Sequence, residues 1–186
     1  MQPRQYALVG YVNNPVGRFV EDLRRQLHPE HAHLPAHITV LPPRPLHGSE
    51  AEALELLERL CGQVAPFEVT LGEVASFAPI TPTVFLRVAH AAYRMRELHD
   101  LLNTDWLHCH EQWPYMPHLT IVKMPGLEQA QQALEISRAR WQEYRGSRVI
   151  LVDQLTFVRE GESNRWVDLA PVHLRRSLAP AHSNPR

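Results

Sequence analysis

The chain has 186 residues, 44% of them hydrophobic, and a formal net charge of −1. That length supports one substantial domain or two small lobes sharing a cleft, and the near-neutral charge excludes a protein that grips long nucleic acid mainly through a basic surface, because such binding scales with the phosphates neutralised. No apolar run reaches the roughly 20 residues needed to cross a bilayer, residues 1–5 lack the apolar segment of a signal peptide, and two cysteines, Cys61 and Cys109, make no disulfide framework; a cytoplasmic protein with no membrane partner is expected.

In chain order, residues 6–12 (YALVGYV) are apolar and partly β-branched and predict a strand. Asn13-Asn14-Pro15 then opens a helix over 16–27, with Phe19, Leu23 and Leu27 spaced along one face. A second strand holds His37-Ile38-Thr39-Val40 and runs into Pro42-Pro43. The helix predicted over 49–61 starts with Ser49 and Glu52 in capping-box spacing and carries Ala53, Leu56, Leu57 and Leu60 as its stripe. Strand-like runs follow at 67–77 and 83–89, then a helix over 92–105 marked by Leu98, Leu101 and Leu102. After a loop over 108–116 comes His118-Leu119-Thr120-Ile121, then Pro125-Gly126, a helix over 127–139 and strands at 148–158 and 165–170, with 161–164 as the hairpin turn between them. A single domain over 1–174 and a flexible tail over 175–186 complete the expected organisation. No glycine-rich phosphate loop follows an early strand, and the paired strands after each helix favour antiparallel sheet, hence an α+β fold rather than a doubly wound one.

The two His-x-Thr-x stretches lie 81 positions apart within the same order of flanking elements. Phe77 follows His37 by 40 residues and Phe157 follows His118 by 39, so the offsets persist through the intervening loops. This is an internal repeat. In each strand the histidine and threonine share one face while Ile38, Val40, Leu119 and Ile121 point to a core.

On these motifs, with Pro117 before His118 and Pro42-Pro43 after the first motif, the chain over about residues 4–172 resembles the 2H phosphoesterase superfamily, also called the 2'-5' RNA ligase-like family. The resemblance implies a bilobal fold with one motif strand from each lobe facing a central cleft. It further implies metal-independent cleavage of phosphodiesters, typically 2',3'-cyclic phosphates or 2'-5' linkages, with an RNA end or small cyclic nucleotide as the partner. Hydrolysis of another small cyclic phosphate or of a short 2'-5' oligonucleotide unrelated to tRNA, or a phosphorylated ligand held without turnover, are the alternatives. A frequent family form has an arginine soon after the second motif; here Lys123 is the nearest cation.

His37 and His118 are the expected acid–base pair, because two imidazoles with an ordinary pKa of about 6.5 can stand one neutral and one protonated near neutral pH. Thr39 and Thr120 are expected to hydrogen-bond the non-bridging phosphate oxygens. Arg87 alternates with Phe85 on one strand face and offers either a phosphate cation beside a stacking ring or a solvated arginine over a core phenylalanine. Strict alternation sets Lys123 on the opposite face from His118 unless a bulge intervenes. Arg44 occupies the matching region after the first motif and is a further candidate for substrate binding, although its flanking prolines hide its direction. Tyr115 and Trp113 precede the second motif, to stack on a base or to pack over the cleft edge. Phe77 and Phe157 read as core. Twelve histidines include the clusters His28, His31, His33 and His108, Cys109, His110, but no Cys-x-x-Cys or His-Glu-x-x-His spacing exists, so neither metal nor cofactor is expected. A monomer is the expected state.

Overall fold

The computed structural model describes residues 4–162 and 165–175. Its elements are β1 (Tyr6–Tyr11), α1 (Pro15–Leu27), β2 (His37–Arg44), α2 (Glu50–Cys61), β3 (Phe67–Ser76), β4 (Thr83–His90), α3 (Ala92–Leu102), β5 (His118–Lys123), α4 (Leu127–Glu143), β6 (Val149–Val152), β7 (Gln154–Glu160) and β8 (Trp166–His173). The fold is α+β, its eight strands forming one antiparallel sheet in the order β6-β3-β4-β5-β2-β1-β7-β8.

The repeat is written into that order. Exchanging β1 with β4, β2 with β5 and β3 with β7 leaves the central six strands unchanged, so a pseudo-twofold axis passes between β2 and β5. The halves interleave: β3, from the first repeat, pairs with β4, and β7, from the second, pairs with β1. The continuous strand expected over 148–158 is in fact two, because Asp153 breaks it. β6 pairs with β3 at one edge, whereas β7 lies beside β1 in the other half. The polar pair Asp153-Gln154 is the only local sign of this break; tertiary pairing decides it.

Helix starts follow the sequence closely. The Asn14 side chain accepts from Gly17 N–H with Pro15 in the first turn, and Ser49 and Glu52 form the reciprocal capping box. The buried stripe of α1 is Val16, Val20, Leu23 and Arg24, with Phe19 and Leu27 only partly covered. Gly17 is required by proximity, since a Cβ there would stand 1.6 Å from the Val12 carbonyl oxygen. α3 ends at Leu102, and Asp105 begins a separate 3₁₀ turn. One core cluster joins helix residues such as Val16, Val20, Leu57 and Leu98 to strand residues such as Ile38, Leu119 and Leu86. A small patch of Ala7, Val9 and Val158, with Tyr11 and Trp166 against it, forms a second cluster. No helix among the described residues is long and apolar enough to cross a membrane. The expected tail lies outside the described residues from position 176 on; Arg175 still donates its backbone N–H to Val64 O at 2.8 Å. Positions 163 and 164 of the expected hairpin turn lie outside them too.

Candidate active site

β2 and β5 meet antiparallel with Ile38 opposite Leu119, residues 2% and 0% exposed. Those two point into the core, so alternation turns His37, Thr39, His118 and Thr120 to the other face of the sheet. Continuing the register sets His37 across from Thr120 and His118 across from Thr39. The two histidines therefore stand on a diagonal of this quartet, where strand geometry separates residues by roughly 7–8 Å. Two imidazole and two hydroxyl side chains thus stand together on one face of the sheet.

Both imidazoles are held alike. His37 Nδ1 lies 2.8 Å from Pro35 O, and His118 Nδ1 lies 2.7 Å from Met116 O. A carbonyl only accepts, so each Nδ1 carries the proton and each Nε2 is left with its lone pair. Burial lowers the pKa of His37 below 6.5, with the positive charges of Arg24 and His118 adding to the effect. Burial likewise lowers that of His118. Desolvation favours the neutral ring in both.

The motif strands also share a distortion. Between β1 and β2 the pairing passes from Val9↔Thr39 to Leu8↔Leu41, and between β4 and β5 from Phe85↔Thr120 to Val84↔Val122. Val40 and Ile121 are thus the extra residues of two equivalent bulges. Their carbonyls find side-chain donors from helices of the opposite repeat. Arg24, on α1, donates from Nε to Ile121 O at 2.8 Å and from Nη2 to Thr120 O at 2.7 Å. On the other side His99 Nδ1 sits 2.8 Å from Val40 O, and the Tyr115 hydroxyl donates to Thr39 O at 2.8 Å.

The bulge decides the face of Lys123. It pairs with Thr83, two residues from Phe85, which pairs with Thr120; Lys123 therefore shares the face of Thr120, exposed at the strand end. Arg87 lies directly across from His118, half exposed, with Nη1 3.3 Å from Glu73 Oε1. Phe85 is 2% exposed beneath Phe77, their rings stacked at 4.2 Å, and both rings pack against the His118 imidazole at 5.1 and 5.0 Å. Phe77, expected in the core, is thus the outer ring of the pair.

Three expected substrate contacts are committed elsewhere, the first being Phe85, the core phenylalanine under the Phe77 ring. Arg44 is 1% exposed, and its guanidinium donates to Pro42 O, Asn103 Oδ1, Leu107 O and Glu111 Oε1. Burial and this full set of acceptors correct the expectation that it reaches the cleft. Tyr115 stacks on His99 at 4.2 Å with its hydroxyl bound to Thr39 O, so it braces β2. Sequence reasoning missed Arg24, His99 and Glu111, and also Tyr11, which lies across from His37 and donates to Asp168 Oδ1 at 2.6 Å. One signal existed: Arg24 follows Val20 by four residues, a charge inside an apolar helix stripe. Among the described residues no group of three or more His, Cys, Asp or Glu side chains is placed to hold a metal ion.

An interleaved α+β repeat presenting one His-x-Thr strand from each half is the scaffold of a 2H phosphoesterase. The chain belongs to the 2'-5' RNA ligase superfamily, whose model matches residues 12–164. A Bacillus cereus protein provisionally named a phosphoesterase is 27% identical over 156 residues, covering 82% of this chain and 86% of its own. A Bacillus anthracis protein of the same provisional name is 25% identical over 145 residues, 77% of this chain and 81% of its own. The same fold occurs in E. coli LigT bound to NADP+, with TM-score 0.60, 18% identity and coverage of 95% and 100% of the two chains. It occurs again in TT0787 of Thermus thermophilus, with TM-score 0.58, 15% identity and coverage of 92% and 98%.

Proposed function

We propose that this protein is a metal-independent phosphodiesterase that opens 2',3'-cyclic phosphates at RNA ends or on nucleotides. The observation that carries the reading is the quartet of His37, Thr39, His118 and Thr120 on one sheet face, with both imidazoles fixed in the same tautomer. Membership in the 2'-5' RNA ligase superfamily supports the substrate class.

In this reading one neutral imidazole takes a proton from water through Nε2 as the water oxygen bonds to phosphorus. The other, protonated, gives its proton to the departing ribose oxygen, leaving a 2'- or 3'-phosphate and a free hydroxyl. Each positioned acid or base is worth about 10²- to 10⁴-fold in rate. Thr39 and Thr120 donate to the non-bridging oxygens where charge accumulates. An RNA hydroxyl in place of water gives ligation by the same proton transfers.

The test is incubation, with chelator present, with the four nucleoside 2',3'-cyclic phosphates and a short RNA ending in a cyclic phosphate. Turnover is expected, with His37→Ala and His118→Ala each losing at least about 10²-fold. The position of the retained phosphate identifies the leaving oxygen. Turnover that survives in either variant would sink the two-histidine mechanism.

A further inference from the structure

Beside His118, on the rim of the proposed site, lies a pocket of about 420 Å³ lined by Glu73, Arg87, Ala92, Arg96, Met116 and Pro117, among others. It begins where the catalytic strand begins, since Met116 and Pro117 lead directly into His118 and Arg87 pairs across from it. Two arginines reach it from different elements, Arg87 from β4 and Arg96 from α3. Arg87 is shared with Glu73 across 3.3 Å, and both side chains are at least half exposed, so that pair is weak. Arg96 is exposed and has no ion-pair partner among the described residues. Two cations against one carboxylate leave the pocket net positive on a chain whose total charge is −1. The pseudo-symmetric position across from His37 holds Tyr11 hydrogen-bonded to Asp168, so it is a phenol and not a guanidinium that stands there.

We infer that the pocket of Arg87 and Arg96 is a subsite for a second phosphate, the one attached to the 5' oxygen of the nucleotide whose 2',3'-cyclic phosphate sits between the histidines. This rests on the phosphodiesterase reading and narrows it. Guanidinium groups bind phosphate through paired, charge-assisted hydrogen bonds. The favoured substrate then carries a 5' phosphate, as the terminal nucleotide of an RNA strand does and a nucleoside cyclic phosphate does not.

The experiment compares binding of adenosine 3'-monophosphate and adenosine 3',5'-bisphosphate by calorimetry at low salt, and kcat/KM for adenosine 2',3'-cyclic phosphate with and without a 5' phosphate. The 5' phosphate is expected to improve both by about tenfold, the worth of one partly exposed charge-assisted hydrogen bond. Arg96→Ala should bring the ratio close to one, Glu73→Gln should raise it, and Arg94→Ala should leave it alone. Arg94 removes the same charge from the same helix but lies over the Phe67 ring at 4.7 Å. A wild-type ratio near one in binding overturns the subsite even if turnover is robust. Discriminating binding without turnover on either substrate keeps the subsite and overturns the phosphodiesterase reading instead.

Discussion

Arg24 Nη2 donates to Thr120 O at 2.7 Å from a helix that belongs to the other repeat. The same guanidinium bonds Ile121 O and also Leu34 O, three residues before His37. One buried side chain therefore ties the approach to the first motif to the bulge of the second. It does so beside β2 and β5, whose ladder has a single matched pair, Ile38 and Leu119. Three carbonyls satisfy it, and among the described residues no carboxylate is bonded to the guanidinium. Its charge bears on His37 as a result.

Removing that cation should separate structure from electrostatics. Arg24→Met leaves Thr120 O, Ile121 O and Leu34 O without their donor, at a cost of about 3 kcal/mol, since a buried acceptor left unpaired costs about 1–3 kcal/mol. Urea denaturation reads this as a lower midpoint. In the same variant the His37 pKa should rise, because a nearby positive charge is gone. NMR titration of the His37 ring checks that shift, which a purely structural role for Arg24 would not produce.

The pH profile follows from the two histidines. Both stand below 6.5, burial being the first cause in each. A reaction needing one neutral and one protonated ring in the free enzyme gives a bell in kcat/KM bounded by the two pKa values. Its maximum should therefore lie on the acid side of 6.5. Stability moves oppositely: a histidine whose folded pKa is depressed favours the fold fully above its unfolded pKa and loses that contribution as pH falls through the window down to the folded value. His37→Asn should flatten the loss of Tm between neutral pH and about pH 5. A maximum well above pH 7 would contradict the desolvated, neutral rings.

The two His-x-Thr strands, the repeat, the helix caps and the α+β class were legible because each is a local pattern: a period of two, a capping box, a matched order of elements. What stayed hidden depends on partners far along the chain. Lys123 joins the histidine face only because Ile121 bulges. Residues 148–158 divide at Asp153 because β3 and β1, in different halves of the sheet, each claim one part. Arg44 is buried because Glu111, 67 residues away, meets it. A cation in a proline-rich strand end gives no hint of that partner.

Arg44 should therefore behave as a structural residue. Arg44→Ala leaves Glu111 beside His99 without its main counter-charge and empties a buried site. Losing one member of a buried pair costs about 3 kcal/mol or more. Thermal unfolding should show it as a large drop in Tm. At a temperature where the variant is folded, KM for a cyclic phosphate should stay within about twofold of wild type, since this substitution removes no charge from the cleft. A tenfold rise in KM with unchanged Tm would return Arg44 to the phosphate.

Phe77 supplies the last test. Its ring lies edge-on to His118 at 5.0 Å and stacked over Phe85 at 4.2 Å, so it covers the imidazole and remains partly exposed itself. Phe77→Ala opens that side of His118 to water and frees its ring to turn about the bond to Met116 O. The entry of water raises the His118 pKa toward 6.5, because desolvation is what lowers it. The expected outcome is a fall in kcat of about tenfold, with one limb of the pH profile moving toward neutral. Phe77→Leu, which restores apolar cover without the ring, should recover the position of that limb. If Phe77 served only to stack the base, substitution would raise KM for nucleotides by about tenfold, a stacking contact being worth about 1–3 kcal/mol, and the pH profile would stay where it was.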